Sequence, residues 1–426
     1  MALSIPNPRI FLSAGEASGD HYGAQLIDEL HNRHAGASFF GLGGKEMETS
    51  GLDRIVRAED VAHMGITEVL RHMPRIYGEY RRLVASIKER RPDAAILIDF
   101  PDVNLRLARE LRKLNIPVVY FVSPQLWAWK RKRLRWVQQR IDRMMVIFPF
   151  EESFYRARGV DAAFTGHPLA YLPSPTISRE QFAVTYMAAN HEDPQSSSHM
   201  RRHWIALLPG SRWKEVESNL PTMLEAAALL GRNYDFLIPV ASTLDKGAIS
   251  NFVFQGLLPR MQWPKSSITL VDDAREALHH ARASIVASGT ATVQATVIGN
   301  PFVVVYHVSP LTFALAKRLV RYPSEIPAQL DQYDNLPIAM VNLIAGRRIV
   351  PELLQGQFTA ANVAATLMPL LSDTPERAQM IADLAETRRK LIPASGSSPV
   401  TEVCDAVEAL LKQSPATRGR ISTASV

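Results

Sequence analysis

The stretch AAILIDFPDVNLRLARELRKLNIPVVYFV, residues 94–122, contains one complete strand–helix–strand unit. Residues 94–99 form a continuous apolar run that ends in Asp, which is typical of a strand buried on both faces of a parallel sheet. A helix is predicted around residues 103–113, the Asn-Ile-Pro sequence at 115–117 ends it, and residues 118–122 form the next strand. Because strands joined in this way make right-handed crossovers, the stretch predicts an α/β fold with a parallel sheet.

The same alternation of strands and helices extends along the chain and restarts once. Residues 9–13 form a strand that leads through a glycine-containing turn into a helix at about 22–31. The segment that precedes residue 203 is rich in Pro, Ser and His, which is typical of an interdomain linker. Further strands are predicted at 144–148, 164–166, 204–208, 236–240, 267–271, 283–287 and 301–306, and later helices at 359–371, 375–391 and 400–412.

The pattern predicts two doubly wound parallel-sheet domains that face a central crevice. The first comprises residues 1–171 and the second residues 203–395, with the linker at 172–202 between them. A C-terminal helix at 396–412 is free to pack back on the first domain. The tail at 413–426 is predicted to be disordered because it is polar and rich in small residues.

Composition excludes several classes of protein. The 426 residues are 46% hydrophobic and 21% charged, which excludes a wholly disordered, collagenous or fibrous chain. The sequence contains neither an apolar run of about 18 residues nor an N-terminal secretory signal. The single cysteine, Cys404, excludes an intramolecular disulfide and a Cys-rich zinc site, and it fits a reducing cytoplasm. The net charge of +6 suits either an ordinary soluble protein or one with an anionic partner, such as a nucleotide, a phospholipid surface or a nucleic acid.

Two turns of the second domain suit a diphosphate. Residues 209–212 (Pro-Gly-Ser-Arg) and 288–292 (Ser-Gly-Thr-Ala-Thr) each lie between a strand and a helix. Backbone N–H groups at a helix N-terminus and a nearby guanidinium both favour phosphate oxygens. We therefore expect nucleotide-diphosphate binding at these turns, through Gly210, Ser211, Arg212, Ser288, Gly289 and Thr290.

Carboxylates mark the carboxyl ends of strands in the first domain. Asp99 ends the apolar run at 94–99, where partial desolvation raises a carboxyl pKa toward a value useful for a general base. Asp102, by contrast, is expected to cap the next helix. The turn Gly-Glu-Ala-Ser-Gly-Asp at 15–20 lacks both the Walker A and the nucleophile-elbow patterns, and a helix capped by Ser18 or Asp20 is its plain structural interpretation.

Two further patterns leave alternatives open. The dense basic and aromatic stretch at 127–136 suits nucleic acid, an anionic membrane surface, or an ordinary solvated helix face. Apolar residues at 64–77 have near-helical spacing and suit either a core-facing helix or an acyl-chain or membrane contact. No Asp-x-Asp pattern is present, and no structural metal is inferred.

Ten motifs, in order, resemble those of the lipid-A-disaccharide synthases, which are inverting glycosyltransferases with two Rossmann-like domains (the GT-B type). The resemblance extends over about residues 10–371. The motifs are SAGEASGD (13–20), MGITEVL (64–70), IDFPDVN (98–104), VSPQLWAWK (122–130), FPFE (148–151), TGHPL (165–169), LLPGSR (207–212), SGTAT (288–292), PLTFALAKRLV (310–320) and NLIAG (342–346).

The resemblance implies a reaction and a setting. The family joins UDP-2,3-diacylglucosamine to 2,3-diacylglucosamine 1-phosphate (lipid X), which gives a β(1→6)-linked lipid A disaccharide 1-phosphate and UDP. It implies neither a cofactor nor a nucleic-acid partner. It implies a cytoplasmic enzyme held peripherally at the phospholipid surface of the inner membrane, and it allows a homodimer. Another GT-B enzyme that uses UDP-GlcNAc, either a lipid-linked N-acetylglucosaminyltransferase or a 2-epimerase, is the alternative.

The resemblance also implies residue roles in catalysis. Asp99 matches the base that takes the proton from the acceptor 6-hydroxyl. Arg212 matches the arginine that stabilises charge on the departing UDP. Glu16 and Ser18 match polar residues beside the transfer site.

Other positions match binding functions, with two departures. Asn342 matches an asparagine on the nucleotide side, and Gly289 and Thr290 match the turn that faces the diphosphate. Gln294 stands where the family usually has a glutamate that holds the ribose hydroxyls, and the segment 324–336 is longer than usual. Membrane or acyl contacts are expected at Met64, Ile66, Val69, Leu70, Trp127, Arg131 and Arg133.

Overall fold

The structure is a computed structural model that describes residues 7–62, 66–187, 203–231, 233–261 and 267–413, with the backbone alone at 61, 62, 66–74 and 187. The chain divides into two compact units. The first comprises Met1–Pro168 and Leu391–Val426, and the second comprises Leu169–Lys390. Each unit is built on a parallel sheet with helices, so the predicted pair of doubly wound α/β domains is confirmed.

The sheet of the first unit has the order β3-β2-β1-β4-β5-β6-β7. Its strands are β1 (Arg9–Ala14), β2 (Ser38–Gly43), β3 (Leu52–Arg57), β4 (Ala94–Ile98), β5 (Val118–Phe121), β6 (Arg143–Val146) and β7 (Ala162–Phe164). The order reverses between β1 and β4, and open α/β sheets bind ligands at the carboxyl ends of strands at such a switch point. Its helices are α1 (Ala17–Arg33), α2 (Lys45–Thr49), α3 (Glu59–Ala62), α4 (Ile66–Arg90), α5 (Pro101–Lys113), α6 (Leu134–Arg140) and α7 (Pro149–Arg156).

The quoted stretch forms the centre of this sheet. All residues of β4 and β5 are buried, as the continuous apolar runs predict for strands covered on both faces. Helix α5 begins at Pro101, whose fixed φ and missing N–H suit a first helical position, and buries Leu105, Ala108 and Leu111. The strand ends and the start of α5 are thereby held in a rigid frame.

The sheet of the second unit has the order β10-β9-β8-β11-β12-β13, and its switch point lies between β8 and β11. Its strands are β8 (His203–Leu208), β9 (Tyr234–Pro239), β10 (Ile268–Val271), β11 (Ala283–Ala287), β12 (Phe302–Tyr306) and β13 (Glu352–Leu354). The helices are α8 (Arg179–Met187), α9 (Trp213–Leu230), α10 (Lys246–Asn251), α11 (Leu258–Met261), α12 (Ala274–His280), α13 (Thr290–Ile298), α14 (Pro310–Leu319), α15 (Met340–Ala345), α16 (Ala360–Leu371) and α17 (Pro375–Lys390).

The last helix, α18 (Pro399–Lys412), belongs to the first unit. It buries Val403, Cys404 and Val407 and contacts α1, and Asp405 accepts a 2.5 Å hydrogen bond from Arg33 of α1. The Cys404 thiol is therefore a core group. Within the described residues, we find no helix with the length and apolar character that crossing a membrane requires.

Several boundaries differ from the sequence-based expectation. Helix α1 begins at Ala17, five residues earlier than expected, and strands β2, β3 and β13 were not predicted. The segment at 172–187 is not a free linker, because Phe182 of α8 is fully buried in the second core, 5.4 Å from the ring of Trp204. The remainder of the predicted linker, residues 188–202, and the tail beyond residue 413 lie outside the described residues.

Candidate active site

Asp99 lies at the switch point of the first sheet, directly after β4. Its backbone N–H donates to the Phe121 carbonyl at 2.9 Å. Burial, and secondarily the negative charge of Glu16, raise the pKa of Asp99 to about 6. Burial and the charge of Asp99 together raise the pKa of Tyr22 to about 12, which places this phenol within electrostatic reach of the carboxylate. A carboxyl with such a pKa is ionised at neutral pH and basic enough to accept a proton.

The turn at 15–20 presents Glu16 and Ser18 to solvent beside this carboxylate. Glu16 is the N-cap of α1, but no side chain caps the helix, so the structural interpretation in which Ser18 or Asp20 caps α1 is wrong. Asp20 is buried and instead accepts N–H groups of Gly44, Glu46 and Met47, at 2.7, 3.0 and 3.2 Å. It therefore fastens the β2–α2 turn to α1.

A cleft of about 740 Å³ opens along α1 next to this turn. The walls of the cleft include Gly15, Glu16, His21, Lys45 and Glu46. The His21 imidazole and the Glu46 carboxylate are 2.7 Å apart across it. The cleft gives a bound molecule access to the turn that carries Glu16.

In the second unit, the turn at 209–212 follows β8 at the switch point. Gly210 has φ +128°, and a Cβ there would lie 2.4 Å from the Glu215 carboxylate. That carboxylate accepts the N–H groups of Ser211 and Arg212 at 3.0 and 3.3 Å. The expectation that both N–H groups are open to a diphosphate is therefore wrong for this conformation. The Arg212 side chain is 78% exposed and makes a 3.3 Å ion pair with Glu215, so it is available to an anion.

The turn at 288–290 is the more open anion site of the two. It follows β11, the other strand of the switch point, and Gly289 is the N-cap of α13 without any side-chain cap. A Cβ at Gly289 would meet no atom within 4 Å, so a ligand can approach the backbone there. Thr290 is exposed, and Gln294 lies half-buried one turn further along the helix. A free helix N-terminus of this kind favours a phosphate.

Comparison with known proteins identifies the family. The family model described as lipid-A-disaccharide synthetase matches residues 10–399. The chain belongs to the lipid-A-disaccharide synthetase family. It is 54% identical to the lipid-A-disaccharide synthase of Acidobacterium capsulatum, over 95% of this chain and 97% of that protein. It is 48% identical to that of Koribacter versatilis, over 90% and 93% of the two chains.

Solved structures show the same fold at low sequence identity. The calicheamicin glycosyltransferase CalG4 matches with a TM-score of 0.55 at 16% identity, over 98% of this chain and 100% of that one. The Acinetobacter baumannii MurG matches with a TM-score of 0.50 at 14% identity, over 94% and 99% of the two chains. The predicted GT-B architecture of this family member is confirmed by these neighbours.

Asn342, expected near the nucleotide from the family resemblance, has no free hydrogen-bonding group. It is buried, and its Nδ2 donates to the Val350 carbonyl at 3.0 Å and to Glu352 at 2.8 Å. Its Oδ1 accepts the N–H groups of Ile349 and Val350. Because every polar atom of the amide is used, Asn342 organises the chain before β13, and the direct nucleotide contact is not supported.

The expected membrane contacts divide into three groups. Met64 lies outside the described residues, as do the side chains of Ile66, Val69 and Leu70. Trp127 is only 2% exposed and its Nε1 donates to Glu151 at 3.0 Å, so the expectation of a membrane contact there is wrong. Arg131 is exposed, whereas Arg133 is half-buried and pairs with Asp102.

Two groups of buried polar side chains in the first unit were not expected. Asn104 and Tyr120 both donate hydrogen bonds to the Asp99 carbonyl, at 2.8 and 2.5 Å. Asn104 lies inside the recognised motif IDFPDVN, which was the only sequence signal for it. Glu151 of the FPFE motif is buried under the loop after β5, where it accepts hydrogen bonds from Ser123 and Trp127 and where burial raises its pKa to about 7.

Metal-binding side chains show no clustering in the described part of the chain. No group of three or more His, Cys, Asp or Glu residues there is arranged to hold an ion.

Proposed function

We propose that this protein transfers 2,3-diacylglucosamine from its UDP-linked form to the 6-hydroxyl of lipid X, which gives the β(1→6)-linked disaccharide 1-phosphate and UDP. Membership of the family supports the reaction class. The observation that carries the mechanism is Asp99, a carboxylate at a switch point whose pKa is raised to about 6.

The first unit activates the acceptor. Asp99 takes the proton of the 6-hydroxyl while that oxygen attacks the anomeric carbon of the donor, and the bond from that carbon to the UDP oxygen breaks on the opposite face. The configuration at the anomeric carbon is thereby inverted. Glu16 and Ser18, exposed on the turn beside Asp99, orient the sugar hydroxyls.

The second unit takes up the charge of the leaving group. The diphosphate oxygens gain negative charge as UDP departs, and the exposed guanidinium of Arg212 stabilises that charge. The open N-terminus of α13 at Gly289 and Thr290 holds the same diphosphate through backbone N–H groups. Gln294 lies on the same helix and contacts the ribose through neutral hydrogen bonds.

The test is release of UDP in mixed detergent micelles that contain UDP-2,3-diacylglucosamine with and without lipid X. We expect release only when both are present, together with a disaccharide phosphate detected by mass spectrometry. The Asp99→Asn variant should bind UDP and release none from the donor. Conversion of UDP-GlcNAc without an acylated acceptor would instead assign the chain to the alternative class of UDP-GlcNAc enzymes.

Peripheral association with the cytoplasmic face of the inner membrane is part of the proposal. The loop and helix at 129–136 expose Trp129 and Trp136, with Lys130 4.3 Å from the Trp129 ring centroid and Arg131 exposed beside it. Interfacial tryptophans among basic residues suit an anionic lipid surface.

Vesicle sedimentation tests this surface. The Lys130→Glu/Arg131→Glu variant should lose binding to anionic vesicles, whereas the control pair Arg388→Glu/Arg389→Glu at the end of α17 should retain it. Equal binding of the two variants to the vesicles would show that Lys130 and Arg131 do not contact the membrane. The family resemblance also allows a homodimer, which light scattering of the purified protein tests directly.

A further inference from the structure

The backbone at Asp99 is in an unusual conformation. Asp99 and the next residue, Phe100, both have φ +46°, in the left-handed region. This region is unfavourable for residues that carry a Cβ, and two such residues in succession need support from the surrounding structure. Strain of this kind is found where a chain must present a side chain at a defined place.

Asn104, on the first turn of α5, supplies one part of that support. Its Nδ2 donates to the carbonyls of Asp99, Ile98 and Ser13, at 2.8, 3.0 and 3.2 Å. Its Oδ1 accepts the Ser13 hydroxyl at 2.6 Å. Asn104 and Ser13 are both completely buried. One amide therefore ties the end of β1 to the end of β4, the two strands of the switch point.

Tyr120 of β5 supplies the second part. Its hydroxyl donates to the same Asp99 carbonyl at 2.5 Å, and its ring is completely buried. Gly15 leaves room for this arrangement, because a Cβ at that position would lie 2.4 Å from the Phe100 ring. The peptide that follows Asp99 is thus held from β1, β5 and α5 at once.

We propose that Asn104 and Tyr120 are positioning residues that hold the Asp99–Phe100 backbone in the left-handed conformation and so fix the carboxylate of Asp99 for proton transfer. The inference rests on the proposed function, in which Asp99 is the general base. A small displacement of a reacting group is costly, since a shift of about 1 Å can lower a rate by about a hundredfold.

Tyr120→Phe is the main test because it removes the hydroxyl and leaves the ring. We expect kcat to fall about tenfold while KM changes less than about twofold. A loosened Asp99 also gains water, so its pKa falls and the acid limb of the pH–rate profile moves to lower pH.

The matched control is Tyr155→Phe. Tyr155 is also completely buried in the first unit, and its hydroxyl donates to a backbone carbonyl, that of Pro124, at 3.0 Å. The control should lose comparable thermal stability but keep both kcat and the pH profile. The proposal would be overturned if both variants lost the same fraction of kcat, or if the acid limb of the pH–rate profile did not move in Tyr120→Phe. Either result would show that Tyr120 has only a structural role in the core.

A double-mutant cycle tests the strain directly. Glycine adopts the left-handed region freely, so Phe100→Gly removes part of the need for support. In the Phe100→Gly background, Tyr120→Phe should lower kcat by a clearly smaller factor than it does in the wild-type background. The same factor in both backgrounds would contradict the strain argument.

Asp99→Asn separates this inference from the proposed function. If Asp99→Asn retains wild-type kcat, Asp99 is not the base and the catalytic assignment fails, whatever Tyr120→Phe does. If Asp99→Asn is inactive but Tyr120→Phe and its pH profile match the wild type, the base assignment stands and the positioning role fails.

Discussion

Replacing Glu16 with Gln should move the acid limb of the pH–rate profile to lower pH. Glu16 is the charged neighbour that opposes ionisation of Asp99, and the pKa of Asp99 is raised from 3.8 to about 6 by burial first and by this charge second. Gln keeps the size and polarity of the side chain but removes the charge. Activity is lost as pH falls through the pKa of the base, so a lower pKa leaves the variant active at more acidic pH.

The structure limits the size of this shift. Because burial contributes more than Glu16 does, most of the rise in pKa should survive the substitution. We expect a downward shift of at most about one pH unit, which corresponds to about 1.4 kcal/mol. Glu16 is exposed, so added salt should screen its charge, and about 0.5 M salt should bring the wild-type profile toward that of the variant.

The assay is the initial rate of UDP release at low substrate concentration between about pH 5 and 9, since kcat/KM reports groups of the free enzyme. Asp102→Asn is the control, because it removes a carboxylate only three residues from Asp99 that has no part in raising its pKa. An acid limb that stays in place for Glu16→Gln, or moves upward, would refute the electrostatic coupling between Glu16 and Asp99.

Substitutions at three positions separate effects on stability from effects on activity. Asp99→Asn should raise the free energy of unfolding in urea at about pH 8 by up to about 3 kcal/mol. The pKa of Asp99 in the folded protein, about 6, exceeds its ordinary value of 3.8, so ionisation of the carboxyl disfavours the folded state. The gain should therefore vanish toward pH 4. Glu151→Ala should cost about 3 kcal/mol at neutral pH, since Ser123 and Trp127 lose a buried acceptor, and Glu151→Gln should cost less. Arg212→Ala should lower kcat/KM about a hundredfold while the free energy of unfolding changes by less than about 0.5 kcal/mol, because this side chain is 78% exposed.

The elements that the sequence predicted well are those with local causes. The strand predicted at 94–99 is β4 (Ala94–Ile98), and the helix predicted at 103–113 is α5 (Pro101–Lys113). An unbroken apolar run and a proline at each boundary are local signals of this kind. The fold class followed from the repetition of such units along the chain.

Strand β2 was missed because its glycines are required by a neighbouring strand, which the local sequence does not reveal. The sequence SFFGLG has glycines that usually disfavour a strand. In the structure, a Cβ at Gly41 would lie 1.9 Å from the carbonyl oxygen of Leu12 on β1. Gly41 is therefore required by the close approach of a neighbouring strand, which becomes visible only when the two strands are paired.

In the candidate site, too, residues with a local sequence signal were predicted and residues whose role depends on distant parts of the chain were missed. Asp99 was predicted from its place at a strand end, and the structure places it at the switch point. Asn104 was marked only by its place in the motif IDFPDVN and Tyr120 by no motif, because the importance of both depends on carbonyls that other strands bring within reach. Asn342 was assigned to the nucleotide by resemblance, yet its amide is fully used inside the second unit.

The two sheets differ in the chemistry at their switch points, and the difference matches a displacement between two substrates. The first presents a carboxylate whose pKa of about 6 suits removal of a proton from a neutral hydroxyl. The second presents a guanidinium and an open helix N-terminus, both of which favour an anion. Each sheet therefore carries one half of the chemistry that the proposed displacement needs: the first offers a group that can accept the hydroxyl proton, and the second offers groups that can stabilise the charge of the departing diphosphate.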